Sequence, residues 1–279
     1  MKRNVIFNNH DLAACIRRQK QVMKEQYELY KGDCLEVMKS IPDKSVDMIL
    51  CDLPYGTTAC KWDTIIPFDK LWEQYNRIIK DGGAIVLFGI QPFTTIMINS
   101  NIKNFKHQWI WDKKNGSNFM QLKRHPNKVH EDIIVFGSNN KNINYYPQMV
   151  KGKMRTKGNE KAYHEDGVYY GHTKIKTKND LYYPKSIIEF SNAGRTGKSK
   201  RLHPTQKPVE LLEYLIKTYT KDENEVVLDN CMGSGSTGVG CINTNRRFLG
   251  IELDESYFNI AKERIEEAVE KKNNSSGTH

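Results

Sequence analysis

The sequence lacks the features that would place it in a membrane or stabilise it through disulfide bonds. No apolar run approaches the ~20 residues that cross a bilayer, and Met1–Asn4 contains no apolar signal-peptide core. The six cysteines form no Cys-x-x-Cys pair, and several occur in apolar stretches. Such cysteines are typical of small core residues in a reducing compartment. We therefore expect a cytoplasmic protein without membrane contact.

Histidine pairs and acidic residues are also scarce. The eight histidines form no His-x-x-x-His pair, so the sequence predicts no metal site. Asp and Glu number 33 against 43 Lys and Arg, which gives a net charge of +10. An excess of this size favours a polyanionic partner such as nucleic acid, although a solvated basic surface would have the same composition.

From about Glu28 onward, apolar runs alternate with helical patterns. Val46–Cys51 and Ala84–Phe88 are typical of buried strands, and the helical spacing of Phe68–Lys80 ends at Asp81-Gly82-Gly83. The remaining predicted strands are Tyr27–Lys31, Gln108–Trp111, Ile133–Phe136, Glu225–Leu228 and Phe248–Leu253, and the remaining helices are Leu35–Ile41, Pro92–Ser100, Val209–Thr220 and Tyr257–Val269. The alternation predicts an α/β fold with a doubly wound, mostly parallel, seven-stranded sheet.

Periodicity is lost between about Ser138 and Arg201. This stretch contains 14 Lys or Arg against 5 Asp or Glu, together with seven of the 14 tyrosines. Basic residues interleaved with aromatic ones favour contact with the backbone and bases of nucleic acid. A mobile basic loop is the alternative interpretation.

Two motifs carry the chemistry. Asp52-Leu53-Pro54-Tyr55 directly follows the predicted strand Val46–Cys51, where ligands bind in open α/β sheets. The second motif, Asp229 to Gly238, satisfies G-x-G-x-x-G, and Glu252 follows 19 positions after Gly233, as in nicotinamide-binding proteins. Only 27 residues follow Glu252, too few to complete a dinucleotide-binding fold. The N-terminal half must therefore complete the sheet, which argues against an oxidoreductase.

Together these motifs resemble those of the β-type amino-group (N6-adenine/N4-cytosine) DNA methyltransferases. Asp52–Tyr55 is similar to their Asp-Pro-Pro-Tyr motif, with Leu53 at the first proline. Asp229–Thr237 is similar to Asp-Pro-Phe-x-Gly-Ser-Gly-Thr-Thr, with Asn230 and Cys231 at the proline and phenylalanine positions. The order of tetrad, insert and cofactor loop is also that of the family. The resemblance implies a Rossmann-like methyltransferase sheet in circularly permuted order.

The resemblance also implies a division of the chain and a cofactor. Residues 27–138 and 202–270 would form the catalytic domain, and 139–201 a target-recognition insert that binds DNA. From their charged and polar composition, we expect residues 1–26 to form a helical extension and 271–279 a disordered tail. The cofactor would be S-adenosylmethionine, bound by Asp33, Cys34, Thr205, Gln206, Lys207, Asp229, Asn230, Gly233, Ser234, Gly235, Ser236, Glu252 and Leu253.

Specific contacts to this cofactor follow from the resemblance. Glu252 would accept hydrogen bonds from both ribose hydroxyls, because its two oxygens match two donors. Asp33 would accept from the adenine amino group, although on its own it is more typical of a turn or a helix cap. Lys207 would pair with the methionine carboxylate.

The tetrad implies catalysis on a base flipped out of double-stranded DNA. The Asp52 side chain and the Leu53 carbonyl would accept the two amino hydrogens, Pro54 would fix the turn, and Tyr55 would stack on the base. Aspartate at position 52 favours the N6 amino group of adenine. The N4 amino group of cytosine stays an alternative, as does an inactive DNA-binding module. A homodimer and a cognate restriction endonuclease are further possibilities that the sequence leaves open.

Overall fold

The computed structural model describes residues 26–56, 64–116, 120, 122–138, 142–157, 160–163, 169–173, 177–192 and 206–276. The predicted helical extension, apart from its last residue, and Thr205 lie outside this part of the chain. The chain divides into two compact units, of which the smaller is Pro147–Lys185 and the larger contains the residues on either side of it.

The described strands are β1 (Tyr27–Lys31), β2 (Val46–Cys51), β3 (Ile79–Gly89), β4 (Phe105–Asp112), β5 (His130–Gly137), β6 (Val150–Lys157), β7 (Glu160–Tyr163), β8 (Tyr169–Thr173), β9 (Thr177–Tyr182), β10 (Ile187–Glu189), β11 (Val226–Asp229) and β12 (Arg247–Glu252). The described α-helices are α1 (Cys34–Met38), α2 (Phe68–Ile78), α3 (Phe93–Ser100), α4 (Val209–Tyr219), α5 (Ser236–Asn243) and α6 (Glu255–Ser276). None of these helices is long and apolar enough to cross a membrane.

The larger unit is built on one sheet with the strand order β1-β12-β11-β2-β3-β5-β4-β10. Neighbouring strands are parallel except that β5 is antiparallel to both β3 and β4. Helices α4, α5 and α6 contribute to the apolar core on one face, and α1, α2 and α3 to the core on the other. Met48 and Leu50 of β2 point into the first core and Ile49 into the second. The predicted doubly wound, mostly parallel α/β sheet is confirmed.

The sheet has eight strands instead of the predicted seven. The additional strand, β10, lies in the stretch that was assigned to the insert and pairs with the edge of β4. Ile188 is its one buried residue. Three residues are too short to produce a periodic pattern, so this strand has no signal in the sequence.

Strand β3 begins earlier than predicted, directly after α2. Ile79 pairs with Val46 of β2, and Lys80 forms an ion pair with Asp47 at 2.8 Å. The two glycines that were expected to end a helix instead lie within the strand. A Cβ atom at Gly83 would come within 2.8 Å of the Asp47 carbonyl oxygen, so this close approach of β2 and β3 requires glycine.

The C-terminal tail also differs from the prediction. Disorder was expected from Lys271, but α6 continues as helix to Ser276. The Lys272 ammonium donates to the Ile242 carbonyl of α5, and the polar segment contains no proline or glycine before Gly277. Its polarity therefore indicates exposure to solvent, not the end of the helix.

The described residues of the smaller unit form two antiparallel strand pairs, β6 with β9 and β7 with β8. The Arg155 guanidinium lies 4.3 Å from the centroid of the Tyr182 ring, and the Tyr182 hydroxyl donates to the Lys153 carbonyl at 2.8 Å. The side chains of Val150 and Met154 are exposed. Because two-stranded sheets bury little, these strands lack the alternation by which strands are predicted.

Candidate active site

A cavity of about 330 Å³ opens at the carboxyl ends of β1, β2, β11 and β12. The sequence motifs meet there because carboxyl ends of parallel strands share one edge of the sheet. The predicted site residues that line it are Asp33, Cys34, Asp52, Leu53, Pro54, Tyr55, Gln206, Lys207, Asp229, Asn230, Gly233, Ser234, Ser236, Glu252 and Leu253. Gly235 does not line the cavity.

The Asp52 carboxylate is held on both of its oxygens. The Tyr55 hydroxyl donates to Oδ1 at 2.5 Å, and the Lys207 ammonium donates to Oδ2. The Tyr55 ring packs against Phe93 of α3, with a centroid distance of 4.8 Å. Leu53 is buried beneath the turn. The tetrad is therefore an ordered strand end with its carboxylate facing the cavity.

Lys207 belongs to a group of four charges, which we call the ion-pair group: the buried lysines Lys207 and Lys113 and the half-buried carboxylates Asp52 and Glu131. Lys207 Nζ lies 3.4 Å from Glu131 Oε2 and 4.9 Å from the centroid of the Phe88 ring. Lys113 Nζ donates to Glu131 Oε1 at 3.0 Å. Lys207 was predicted to pair with a cofactor carboxylate, whereas its partners here are carboxylates of the protein itself.

Burial and ion pairing shift the pKa values of the ion-pair group in opposite directions. Burial raises the pKa of Asp52, and the ammonium of Lys207 only partly offsets this. Burial favours the neutral amine of Lys207, but Asp52 and Glu131 outweigh it and raise the pKa of Lys207. The pKa of Glu131 is lowered because Lys207 and Lys113 outweigh its burial. Lys207 and Glu131 therefore stay charged at neutral pH.

Glu131 and Lys113 were missed by the sequence analysis. Glu131 is the second residue of β5, which was predicted to begin only at Ile133. Because β5 is antiparallel to its neighbours, its first residues lie at the edge where the other strands end. Strand direction could not be inferred from the apolar pattern, so no sequence feature indicated that Glu131 lies at this edge.

Glu252, the last residue of β12, is held by backbone donors. The Gly233 N–H donates to Oε2 and the Asp254 N–H to Oε1, each at 2.8 Å. Burial raises the pKa of the Glu252 carboxyl. A carboxylate accepts about four hydrogen bonds, and with Leu253 as a third backbone donor the Glu252 carboxylate retains only part of its acceptor capacity.

Asp229 and Asn230 are buried where the loop begins. Asp229 accepts from the Thr237 hydroxyl at 2.7 Å and from the Cys231 N–H at 3.1 Å, and burial raises its pKa to about 6. Asn230 Oδ1 accepts from the Tyr75 hydroxyl of α2 at 2.5 Å. Asparagine at the family's proline position thus has a tyrosine partner, which the sequence did not reveal.

The rest of the loop is fixed by a glycine and an arginine. Gly235 has φ of +75°, and a Cβ atom there would lie 2.9 Å from the Ala261 side chain of α6. Its role is close packing against that helix. Arg264, also of α6, donates to the Ser234 carbonyl and to the Ser236 hydroxyl, the latter at 3.2 Å. This arginine was also missed by the sequence analysis.

Asp33 caps α1. Its Oδ1 accepts from the backbone N–H groups of Leu35 at 2.8 Å and Glu36 at 3.2 Å. This is the capping alternative left open from the sequence, and a contact with adenine remains a prediction. Next to it, a hydrogen bond between the thiols of Cys34 and Cys231 lowers the pKa of Cys34.

The model of the DNA methylase family of N6 and N4 methyltransferases matches residues 46–263, which is more than half of the chain. The chain therefore belongs to this family, and it is a DNA amino-methyltransferase. S-adenosylmethionine is the cofactor of the family, as the motifs had implied.

Known relatives support this assignment. The chain is 26% identical over 248 residues to the type II methyltransferase M.HpaI of Haemophilus parainfluenzae, covering 84% of this chain and 73% of the relative. It is 26% identical over 258 residues to the DNA adenine methyltransferase YhdJ of Escherichia coli, covering 88% and 84%.

Solved structures of the same fold include two methyltransferases. The M1.HpyAVI–SAM complex matches with a TM-score of 0.56 and 25% identity, covering 86% of this chain and 98% of the other. The PvuII cytosine-N4-specific DNA methyltransferase matches with a TM-score of 0.61, covering 89% and 92%. At 15% identity, the second similarity concerns the fold alone.

Proposed function

We propose that the enzyme methylates the N6 amino group of adenine in double-stranded DNA, acting on a base flipped out into the cavity beside Asp52. The observation that carries this proposal is the Asp52 carboxylate, which faces the same cavity as the glycine loop and Glu252. Aspartate at this position supports adenine, because serine is more common in the N4-cytosine enzymes. The similarity to an adenine methyltransferase of E. coli also supports adenine.

The amino group of a base is a weak nucleophile because its lone pair is delocalised into the ring. Asp52 would accept one N–H hydrogen and the Leu53 carbonyl the other, which returns electron density to the nitrogen. Asp52 would also stabilise the positive charge that develops there. Its raised pKa makes it a suitable acceptor for the proton that the methylated nitrogen releases. Tyr55 would hold the base by stacking.

The residues around the cavity fit S-adenosylmethionine, which when bound supplies an electrophilic methyl group. The volume of about 330 Å³ lies within the range of small-molecule sites. We assign to Glu252 the acceptance of hydrogen bonds from two ribose hydroxyls, since Glu252 lines the cavity at the end of β12. Gly233, with φ of +51°, would let the backbone approach the cofactor closely.

The test is sequencing, by a method that detects methylated bases, of DNA from cells that express either the wild type or Asp52→Asn. We expect N6-methyladenine at one position of a short sequence with the wild type, and strongly reduced methylation at that position with the variant. N4-methylcytosine instead would overturn the assignment to adenine. The positions of the methylated bases would also give the recognition sequence.

A further inference from the structure

We propose that Glu131 is a positioning residue for methyl transfer, which acts through Lys207 to keep the Asp52 carboxylate aimed and effective. The inference rests on the proposed role of Asp52, and it assigns a role to a residue outside both motifs. Glu131 does not line the cavity, so it would not touch the reacting atoms.

The contacts show that Lys207 links Glu131 to Asp52. Lys207 contacts Asp52 Oδ2 directly and lies 3.4 Å from Glu131 Oε2. Lys113 donates to the other oxygen of Glu131 at 3.0 Å. Side chains are only 9% exposed for Lys207, 18% for Glu131 and 6% for Lys113. With so little water to screen them, these charges interact strongly.

Charge balance explains why a second carboxylate is needed. Lys207 orients Asp52. In the proposed reaction, however, the positive charge of Lys207 would be close to the target nitrogen, on which positive charge also develops. Alone, it would oppose the stabilisation that Asp52 supplies. Glu131 offsets the charge of Lys207, so that the negative charge of Asp52 stays effective at the nitrogen. Lys113 in turn pairs with Glu131 Oε1, the oxygen that Lys207 does not contact.

A purely structural ion pair would make a different prediction. If Glu131 only neutralised buried lysines, its replacement would lower stability and leave the transfer step of the folded enzyme unchanged. The decisive readouts are therefore the single-turnover rate of methyl transfer and its pH dependence, both at saturating S-adenosylmethionine and DNA.

We expect Glu131→Gln to slow single-turnover transfer by roughly 10- to 100-fold, as misplaced groups do, with little change in S-adenosylmethionine affinity. The acid limb of the pH–rate profile should move to lower pH, because Glu131 helps to raise the pKa of Asp52. Glu131→Asp should restore part of the rate. Within the described part of the chain, the ionisable groups that act on Asp52 are Lys207, Glu131, Tyr55, Cys51 and Asp229.

Two further variants keep the test decisive. Glu131→Gln/Lys113→Met removes one charge of each sign, and we expect it to fold and still to transfer slowly. The control is Glu189→Gln, which breaks an exposed pair with Lys114 of 2.8 Å and should leave the rate unchanged.

The outcomes separate the two proposals. If the wild type is active and the Glu131 variants have the same transfer rate and the same acid limb of the pH–rate profile, the role of Glu131 is overturned. The role of Asp52 would then be unaffected. A wild type that binds S-adenosylmethionine but transfers no methyl group to DNA would overturn the proposed function, and the role of Glu131 with it.

Discussion

Two carboxylates at the same edge of the sheet, Asp52 and Glu252, are held in opposite ways. Asp52 is fixed by side chains, the Tyr55 hydroxyl and the Lys207 ammonium. Glu252 is fixed by the backbone N–H groups of Gly233 and Asp254. Backbone donors orient a carboxylate without adding a charge, which suits a group that receives neutral hydroxyls. Ionised side chains change its electrostatics, which suits a group that acts on developing charge.

The same contrast appears in how the two regions depend on the rest of the fold. The hydrogen bond from Gly233 to Glu252 joins residues 19 positions apart, within a single strand-helix-strand unit. The contact from Lys207 to Asp52 joins residues 155 positions apart. The side of the cavity at Asp52 therefore depends on a charged residue that is far away in the sequence. We expect mutations of its partners to change stability and activity more strongly than mutations on the cofactor side.

The largest effect is expected from Lys207→Met, which leaves the half-buried carboxylates of Asp52 and Glu131 without their common partner. We expect the free energy of unfolding to fall by about 3–5 kcal/mol, measured by urea denaturation at neutral pH. The matched control, Lys114→Met, breaks the exposed pair with Glu189 and should cost less than about 1 kcal/mol. An equal decrease in the free energy of unfolding in both variants would show that the ion-pair group contributes no more to stability than an exposed ion pair.

Asp229→Asn tests the cofactor side, where burial raises the pKa of Asp229 from 3.8 to about 6. Between these pH values the folded protein holds a proton that the unfolded chain has lost, so stability falls as the pH rises to about 6 and stays lower above it. Asparagine removes this loss. We expect a gain of roughly 1–3 kcal/mol in the free energy of unfolding at pH 8.

The difference in the free energy of unfolding between Asp229→Asn and the wild type should depend on pH. The gain should shrink as the pH is lowered from 8 toward 5, as measured by urea denaturation at each pH. A gain that is the same at both pH values would contradict the account of Asp229 as a carboxylate buried at an electrostatic cost.

The smallest effect is expected from Glu252→Gln, which keeps one acceptor but turns an amide donor toward a backbone N–H. We expect S-adenosylmethionine to bind about 10-fold more weakly by calorimetry, or roughly 1.4 kcal/mol. Glu255→Gln, which loses an exposed pair with Lys31, should bind as the wild type does. Unchanged affinity in Glu252→Gln would remove Glu252 from the cofactor site.

The parts of the fold that the sequence predicted are those with local signals. Val46–Cys51 is a continuous apolar run, and the tetrad follows it directly, so strand and turn were both evident. The loop after Asp229 and the carboxylate of Glu252 belong to one strand-helix-strand unit with fixed spacing. Each of these features is readable within about 25 residues, as for other sequence motifs.

The parts that escaped prediction depend on pairing over long distances. Glu131 reaches the site only because β5 runs antiparallel, and nothing in its own sequence specifies that direction. Tyr75 meets Asn230 across 155 positions. Strand β10 owes its place to the exposed edge of β4. In each case the partner, and not the residue itself, determines the structure.

The central claim is tested most directly by transfer of tritiated methyl groups from S-adenosylmethionine to DNA by purified wild type and Asp52→Asn. Both proteins should bind S-adenosylmethionine with the same affinity, because the cofactor side is unchanged. We predict labelled DNA with the wild type and a rate lower by about 10²- to 10³-fold with the variant. Transfer by Asp52→Asn at the wild-type rate would contradict the account.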